Sequence, residues 1–331
     1  MQNSTLFGLL LFMALSFDFL NGFHDSANVV ATMIASRALS LRSALTLAAV
    51  AELVGPLLFG VAVATTVGKE IVTPQSVTVT VVLAALLAAS IWNLATWWFG
   101  IPSSSSHALT GGLIGGAFIF GGMAQIKFGG LTKVALALFV SPVLGFIVGW
   151  LMLQLLLFLA RGASPRVNNT FNRLQLVTAT ALALAHGTND AQKTMGIITL
   201  GLVTTGMQAT FHVPLWVILA SSTAISLGTA VGGKRIIQRM GGKFYRIRPI
   251  HSLASQTASA IIILTASLLG GPVSTTHVVS SAIVGAGASH RINQVRWNGL
   301  IDIGLAWIIT IPGTAVLAAL CYWLLRPVLG P

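Results

Sequence analysis

The chain has 331 residues, of which 55% are hydrophobic and only 7% are charged, and its formal net charge is +12. A soluble domain of this size needs more charged surface than this composition supplies, so soluble classes are excluded and a lipid bilayer is the expected solvent. The basic residues lie in a few short loops, as topology signals do, so the charge does not indicate nucleic acid as a partner. The one cysteine, Cys321, excludes a disulfide framework.

Ten apolar runs follow one another along the chain, and each predicts one membrane-crossing helix. They lie at 4–36, 43–66, 77–99, 102–120 and 130–160 in the first half, and at 174–206, 212–233, 250–270, 272–290 and 297–326 in the second. The first run of each half exceeds the roughly 20 residues that one straight span needs, so we expect a break in each. The predicted fold is an all-α integral membrane protein with broken or re-entrant helices at mid-membrane.

The two halves carry the same features in the same order, which indicates an internal duplication. Asp25 and Asp190 lie 165 residues apart, and Pro102 and Pro272 open similar Ser/Thr segments 170 residues apart. Five crossings per half is an odd number, so the second half should be inverted relative to the first. We therefore predict a first inverted repeat at 1–160, a short cytoplasmic connector at 161–173 and a second inverted repeat at 174–331.

The distribution of lysine and arginine supports an inverted arrangement of the two halves, because cytoplasmic loops are enriched in both residue types. With the amino terminus outside, the predicted inner loops hold Arg37, Arg42, Arg161, Arg166, Arg173, Lys234, Arg235, Arg239, Lys243, Arg246, Arg248, Arg291 and Arg296. The predicted outer side holds only Lys69, Lys127, Lys133 and Arg326. Both termini are therefore predicted to lie outside the cell's inner (plasma) membrane.

Two segments place carboxylates within apolar runs, where charge is costly and marks a functional site. Asn21–Asn28 contains Asp25, and His186–Lys193 contains Asp190. Carboxylate and amide oxygens suit a small hard cation, and a carboxylate can instead bind a proton. The predicted coupling-cation or proton site comprises Asp25, Asp190, Asn21, Asn28, Asn189, His24, Asp18 and Glu52, with Lys193 as counter-ion and no tightly bound metal. The alternative is a pair of polar contacts at helix breaks.

Two residues of this set lack a counterpart in the other half. His24 stands where the second copy has Asn189, and histidine titrates near neutral pH, so His24 is a candidate proton carrier; a packing role is the alternative. Glu52 stands where the second copy has Ile225, so it is either a coupling carboxylate or a structural group facing the helix bundle.

The segments Pro102–His107 and Pro272–His277 each follow an apolar helix. Proline suits the first turn of a new helix and serine or threonine suits its cap, so each segment predicts a helix start at membrane depth. Two such amino termini that face each other would hold a tetrahedral oxyanion such as phosphate or sulfate. The predicted ligands are Ser103, Ser104, Ser105, Ser106, Ser274, Thr275 and Thr276, although such residues also join transmembrane helices without binding an anion.

Two other classes of function use the same residues. A passive anion channel could be built from the same two caps. An intramembrane hydrolase could use Ser103 and His107, which lie four residues apart on one helix face. Catalysis needs one site rather than two matching copies, so we expect neither an enzyme nor a cofactor.

With these residues in view, the chain resembles the PiT family of inorganic phosphate transporters, most closely its bacterial low-affinity Pit type. The resemblance covers nearly the whole length and is carried by Asn21–Asn28, Trp92–Trp97, Pro102–His107, His186–Lys193 and Pro272–His277. It implies two inverted repeats and symport of phosphate with a cation. It places phosphate at the Ser/Thr caps and the cation at the two aspartates.

Two departures from sodium-coupled relatives bear on the coupling ion. Those relatives have Asn-Asp in both copies and often a glutamate in both second spans, whereas this chain has His24-Asp25 and only Glu52. Both features resemble the proton-coupled branch, which is also implied to carry divalent metal–phosphate complexes. We expect a proton-coupled phosphate symporter, with sodium coupling, or a sulfate or arsenate permease, as alternatives. The sequence leaves a homo-oligomer open.

Overall fold

The computed structural model describes residues 2–72, 77–232, 237, 247–295 and 297–330. Across these ranges the chain consists of helices joined by turns and short loops, with one isolated bridge between Val72 and Ile126. The helices are α1 (Gln2–Ala35), α2 (Leu41–Phe59), α3 (Ala62–Thr65), α4 (Val79–Phe99), α5 (Ser105–Gly121), α6 (Phe128–Leu159), α7 (Val167–Thr204), α8 (Leu215–Val231), α9 (Pro249–Leu268), α10 (Thr275–Arg291) and α11 (Asn298–Leu329). Every predicted apolar run contains at least one of these helices, so the all-α prediction is confirmed.

Among the described residues, six helices are long and apolar enough to cross a membrane: α1, α2, α4, α5, α6 and α11. The lipid-facing character is plain on α6, where Leu136, Phe139 and Val143 are each more than half exposed. The chain is therefore a multi-pass membrane protein. The predicted ten crossings are not reproduced by this measure, because α7 carries a polar segment, α8 has only 17 residues, and α9 and α10 are rich in serine and threonine.

The helices α1 and α7 run through both aspartate segments without interruption, so the expected breaks at 4–36 and 174–206 are wrong. A continuous helix satisfies its own backbone, and the polar side chains find partners on neighbouring helices, so the backbone ladder need not open. The break falls instead in the second run, where Gly60 ends α2 with φ of 81°. The chain resumes as α3 and a π-helical turn, Thr66–Glu70.

Part of the predicted connector at 161–173 is helical, and its place as a boundary between two repeats stays a prediction. Helix α7 begins at Val167, so only the residues before it form an irregular link after α6. The asparagines at 168 and 169 that suggested a loop lie in the first turn of α7, where asparagine is tolerated.

Helices α4 and α5 pack against each other as a hairpin, and α9 and α10 form a second one. The residues just before α5 and α10, including Ser103 and Val273, are buried. Each hairpin therefore turns inside the protein rather than at its surface. Pro102 and Pro272 lie two residues before the N-caps, not in the first helical turn as the sequence suggested. There they direct the chain into the cap without interrupting a helix.

The two halves of the chain pack against each other reciprocally. Helix α1 packs on α8 while α7 packs on α2, and α5 packs on α11 while α10 packs on α6. A Cβ at Gly22 would lie 2.1 Å from the carbonyl oxygen of Ile225, and one at Gly187 would lie 2.6 Å from that of Glu52. Only glycine permits such close backbone contacts, so α1 and α7 are each pressed against a helix of the other half.

Two apolar clusters flank the middle of the molecule. One includes Leu10, Phe17 and Met195, and the other includes Val30 and Leu182. The polar segments of α1 and α7 lie between these clusters along their helices. The polar centre is thus enclosed by apolar side chains on both sides.

Several of the basic residues that support the predicted orientation lie outside the described residues: Lys234, Arg235, Arg239, Lys243, Arg246 and Arg296. The location of the two termini therefore stays a prediction.

Candidate functional site

Each hairpin presents the amino end of a helix at the centre of the molecule. Ser104 Oγ accepts a hydrogen bond from the backbone N–H of His107 at 3.2 Å, and Ser274 Oγ accepts one from that of His277 at 3.3 Å. The predicted helix starts after the two Ser/Thr segments are confirmed. The other N–H groups of each first turn have no acceptor within their own helix, so each cap can bind an anion.

The two caps meet. Ser106 Oγ in α5 donates a hydrogen bond to the backbone carbonyl of Val273 at 3.1 Å. Behind this contact the rings of His107 and His277 lie 4.4 Å apart, centroid to centroid, and His277 stacks on Trp307 at 3.7 Å. The amino ends of α5 and α10 therefore share one buried centre.

Asp25 of α1 binds both hairpins. Its Oδ2 accepts a hydrogen bond from Ser105 Oγ at 3.2 Å, and its Oδ1 accepts one from Thr276 Oγ1 at 3.4 Å. The Nδ1 atom of His24 lies 2.7 Å from Oδ1. Asn28, one turn further along α1, donates to Thr276 Oγ1 at 2.9 Å. The first aspartate segment is thus attached to both caps.

Asp190 of α7 also interacts with both hairpins. It contacts the second hairpin directly and the first hairpin through Lys193. Its Oδ2 accepts a hydrogen bond from Thr275 Oγ1 at 3.1 Å. The Lys193 ammonium donates to Asp190 Oδ1 and, at 2.5 Å, to Ser106 Oγ. Lys193 therefore makes the contact expected of a counter-ion and also touches the α5 cap.

The predicted phosphate ligands divide into two groups. The hydroxyls of Ser105, Ser106, Thr275 and Thr276 contact the aspartates or Lys193, as described above. Ser104 and Ser274 use their hydroxyls as caps, and Ser103 Oγ donates to Thr96 Oγ1 at 2.8 Å. Successive residues at a helix start point in different directions, so one segment cannot direct all its hydroxyls to one centre.

Three of the predicted coupling residues make no hydrogen bond to Asp25 or Asp190 in the part of the chain that the structure describes. Asn189 Nδ2 donates to Ser267 Oγ at 2.9 Å and to the carbonyl of Gly271 at 3.3 Å, which holds the second hairpin from behind. The side-chain amide of Asn21 is buried without a hydrogen-bond partner among the described residues. Asp18 is buried, and neither of its carboxylate oxygens has a hydrogen-bond partner among the described residues.

Glu52 faces the helix bundle and is fully buried. Its Oε2 accepts a hydrogen bond from Thr229 Oγ1 at 2.6 Å, and its Oε1 lies 2.9 Å from His186 Nδ1. The other ring nitrogen of His186, Nε2, lies 3.3 Å from Asp190 Oδ2. Sequence reasoning did not single out His186. The available signal was its position, since it stands 165 residues after Asn21 and so replaces an amide with a titratable group.

Thr96 is a second residue that the sequence did not single out. Its Oγ1 accepts from Ser103 and lies 3.4 Å from His24 Nε2, so it joins the α5 segment to the first aspartate segment. The signal was the conspicuous Trp92–Trp97 stretch of α4, in which Thr96 lies.

The charges at this centre do not balance. Four carboxyl groups, those of Asp18, Asp25, Glu52 and Asp190, are buried, whereas Lys193 is the one buried lysine or arginine in the described ranges. A buried charge without a partner costs free energy, so the four carboxyl groups require bound protons or another cation.

One carboxylate oxygen each from Asp25 and Asp190 and a ring nitrogen of His186 lie within 4.8 Å of one another. One positive charge can therefore be shared by all three groups. The ammonium of Lys193 already touches Asp190 and would repel a metal ion there, so this set of donors does not suit a tightly held metal.

Comparison with known proteins gives a consistent result. The model of the phosphate transporter family matches residues 21–318. A relative from Bacillus subtilis (strain 168), named as a probable low-affinity inorganic phosphate transporter, is 44% identical over 322 residues and covers 96% of each chain. A relative from Rhizobium meliloti (strain 1021) with the same name is 45% identical over 316 residues and covers 95% of each.

The fold also matches a solved structure, described as "The sodium-dependent phosphate transporter", with a TM-score of 0.90. The match covers 98% of this chain and 100% of that one at 24% identity, so it bears on the fold alone. Because the family model and both relatives span almost the whole chain, this protein belongs to the phosphate transporter family, whose members are transporters and not enzymes.

Proposed function

We propose that this chain is a secondary active transporter that carries inorganic phosphate into the cell together with protons. The observation that supports this most directly is the convergence of two helix caps on Asp25, Asp190 and Lys193 in a buried centre. Caps bind an anion, while paired carboxylates and a lysine adjust the charge of the same space.

In this proposal phosphate binds between the amino ends of α5 and α10. The hydroxyls of Ser105, Ser106, Thr275 and Thr276 and the free N–H groups of the first turns would donate to its oxygens, with Lys193 balancing charge. Phosphate carries a proton near neutral pH, so it can also donate to an aspartate, which sulfate cannot do. Arsenate has nearly the same shape and should compete.

The architecture that would move this site is a pair of inverted repeats, 1–160 and 174–331, joined by a cytoplasmic connector. The reciprocal packing of the helices and the matching contacts of Gly22 and Gly187 support it. With both termini outside and the site at the interface of the repeats, the hairpins would rock between two orientations and alternate access.

The proposed coupling ion is the proton. His24 and Glu52, which lack counterparts in the other half, both lie in this polar centre, and His186 adds a third titratable group. The coupling residues would be Asp25, Asp190, His24 and Glu52, whereas Asn28 and Asn189 hold the hairpins. Sodium coupling is the alternative. A divalent metal–phosphate complex would enter as substrate with less net charge.

The test is uptake of radiolabelled phosphate into proteoliposomes under separately imposed proton and sodium gradients. We expect accumulation above electrochemical equilibrium with an inward proton gradient and none with sodium alone. Accumulation with sodium alone would overturn the proton assignment. Uptake that never exceeds equilibrium would indicate a channel. Competition by arsenate and weak competition by sulfate would support the proposed recognition, and added magnesium would test for a metal–phosphate substrate.

A further inference from the structure

Glu52 of α2 and His186 and Asp190, one turn apart on α7, form a continuous buried row. The two ring nitrogens of His186 lie 2.9 Å from Glu52 Oε1 and 3.3 Å from Asp190 Oδ2, and all three side chains are fully buried. Neither contact has the alignment of a hydrogen bond, so the ring must turn slightly before it can pass a proton. Resting geometry of this kind is common in proton-transfer sites.

The backbone holds this row in place. A Cβ at Gly187 would lie 2.6 Å from the Cα atom of Glu52, and a Cβ at Gly55 would lie 2.3 Å from the carbonyl oxygen of Leu184. Helix α2 therefore packs closely on α7 at these two glycines. At the far end, Thr229 of α8 fixes the other carboxylate oxygen of Glu52 by a hydrogen bond of 2.6 Å.

His186 has charged neighbours on three helices. Glu52 faces it from α2, Asp190 faces it from one turn further along α7, and Asp25 of α1 places a carboxylate oxygen within 4.8 Å of its ring. Two further ionisable groups are buried in the same part of the protein: Asp18 on α1, and Lys193 on α7, which pairs with Asp190. An imidazole between acidic groups can accept a proton on one nitrogen and release one from the other.

We propose that Glu52, His186 and Asp190 form a proton relay in which Glu52 holds the coupling proton away from the phosphate site. This inference rests on the proposed proton-coupled phosphate transport. In one transfer the O–H bond of protonated Asp190 breaks and an Nε2–H bond forms on His186. At the same time the Nδ1–H bond breaks and an O–H bond forms on Glu52, so the imidazole remains neutral and changes tautomer.

The relay would connect proton movement to both hairpins. When Asp190 loses its proton it becomes a full negative charge that attracts Thr275 of the second cap and Lys193. Lys193 in turn touches Ser106 of the first cap. A proton that moves to Glu52 thus changes the charge of the phosphate site without leaving the protein. Glu52 would then hold the coupling proton at a place separate from the bound phosphate.

The test separates phosphate movement from proton movement in proteoliposomes. Phosphate counterflow, the exchange of labelled for unlabelled phosphate, needs the site and alternating access but no net proton transfer. The proton-to-phosphate ratio is measured with an internal pH dye during net uptake. In Glu52→Gln the amide oxygen can still accept from Thr229, so we expect counterflow within about twofold of wild type. We expect its proton-to-phosphate ratio and driven accumulation to fall at least about tenfold.

His186→Gln should give the same separation, because it removes the group between the two carboxyls. The matched control is His212→Asn, which changes an exposed loop histidine and should leave both measurements unchanged. If Glu52→Gln keeps driven accumulation, or if it loses counterflow while folded in the membrane, the relay is wrong and phosphate transport itself still stands. If wild-type protein shows no phosphate counterflow, the proposed function is wrong and the relay falls with it.

Discussion

Asp25 and Asp190 occupy equivalent places in two long helices, and comparison of their surroundings separates two tasks. Each accepts a hydrogen bond from a threonine of the second hairpin, Thr276 for Asp25 and Thr275 for Asp190. Their ionisable neighbours differ. Asp25 has His24 at 2.7 Å, whereas Asp190 has the Lys193 ammonium and, through His186, a connection to Glu52.

In the proposed transport mechanism, the features that both halves share would bind phosphate, and those found in one half only would adjust the charge of the site. Hydroxyls, helix caps and one aspartate occur in both halves, so they form the frame that suits an oxyanion from two sides. His24, His186, Lys193 and Glu52 have no counterpart of the same type in the other half; His24 lies beside Asp25, whereas the other three lie on the side of Asp190. If the two halves arose by the predicted duplication, the proposed mechanism assigns phosphate binding to the duplicated residues and coupling to the residues in which the halves differ.

The largest effect should come from removing either shared carboxylate. Asp25→Asn and Asp190→Asn each abolish the charge but keep the side-chain shape, and each leaves hydroxyl donors or an ammonium facing an amide. Loss of one member of a buried ion pair or of a charged hydrogen bond costs about 3 kcal/mol, so uptake should fall by ~100-fold or more. Labelled phosphate uptake into cells measures this.

The comparison requires that both variants reach the membrane in normal amounts, which an epitope tag quantifies. Normal uptake by both variants would contradict the site assignment. Normal uptake by one alone would show that the two aspartates do not share a task, and the symmetric frame would have to be abandoned.

The helix starts show what sequence could predict. Proline followed by serines or threonines gives a local rule for a cap, and Ser104 and Ser274 obey it. The aspartate segments were predictable for a similar reason, because charge within an apolar run has few structural uses. Both are properties of a few consecutive residues.

The remainder depends on contacts between distant residues. His186 contacts Glu52 on another helix, and Asn189 donates hydrogen bonds to Ser267 and Gly271. The residues next to His186 and Asn189 in the sequence do not reveal these contacts. The prediction of breaks in α1 and α7 was wrong for the same reason, because partners on other helices satisfy the polar side chains of these two helices. The break at Gly60 was missed because an apolar run conceals it.

A smaller effect should come from making the two aspartates more alike. Lys193→Asn installs the residue that the first half has at Asn28. Asp190 keeps its hydrogen bond from Thr275 but loses its ammonium partner, and Ser106 loses the same donor. A hydrogen bond to a charged group contributes about 1.5 kcal/mol, so apparent phosphate affinity should fall by ~10-fold, measured as the KM of uptake.

Lys69→Asn is the matched control, because Lys69 is exposed and its replacement changes the net charge by the same amount. It should leave the KM unchanged. An unchanged KM in Lys193→Asn as well would show that the ammonium serves only to fold the protein, and the two aspartates would then be equivalent toward phosphate.

The smallest effect on transport should come from the two matching glycine contacts. Gly22→Ala and Gly187→Ala each insert a methyl group where helices touch, and overpacking of this kind costs about 1–3 kcal/mol. Gly8→Ala is the control, since a Cβ there meets nothing within 4 Å. The Tm is measured with a thiol-reactive dye, because Cys321 is buried and we expect it to react with the dye only when the protein unfolds. We expect a lower Tm than that of the wild type for Gly22→Ala and Gly187→Ala, and an unchanged Tm for Gly8→Ala.

The same pair of variants distinguishes the frame from the coupling. Gly22 contacts Ile225, whose side chain is apolar and cannot carry a proton. Gly187 contacts Glu52, and a displaced Glu52 would move away from His186. Both variants should therefore lose stability, but only Gly187→Ala should lower the proton-to-phosphate ratio of the folded fraction. An equal ratio in the two variants would mean that the position of Glu52 is irrelevant to coupling. Equal Tm values for Gly187→Ala and Gly8→Ala would mean that α2 does not rest on α7 as closely as the structure has it.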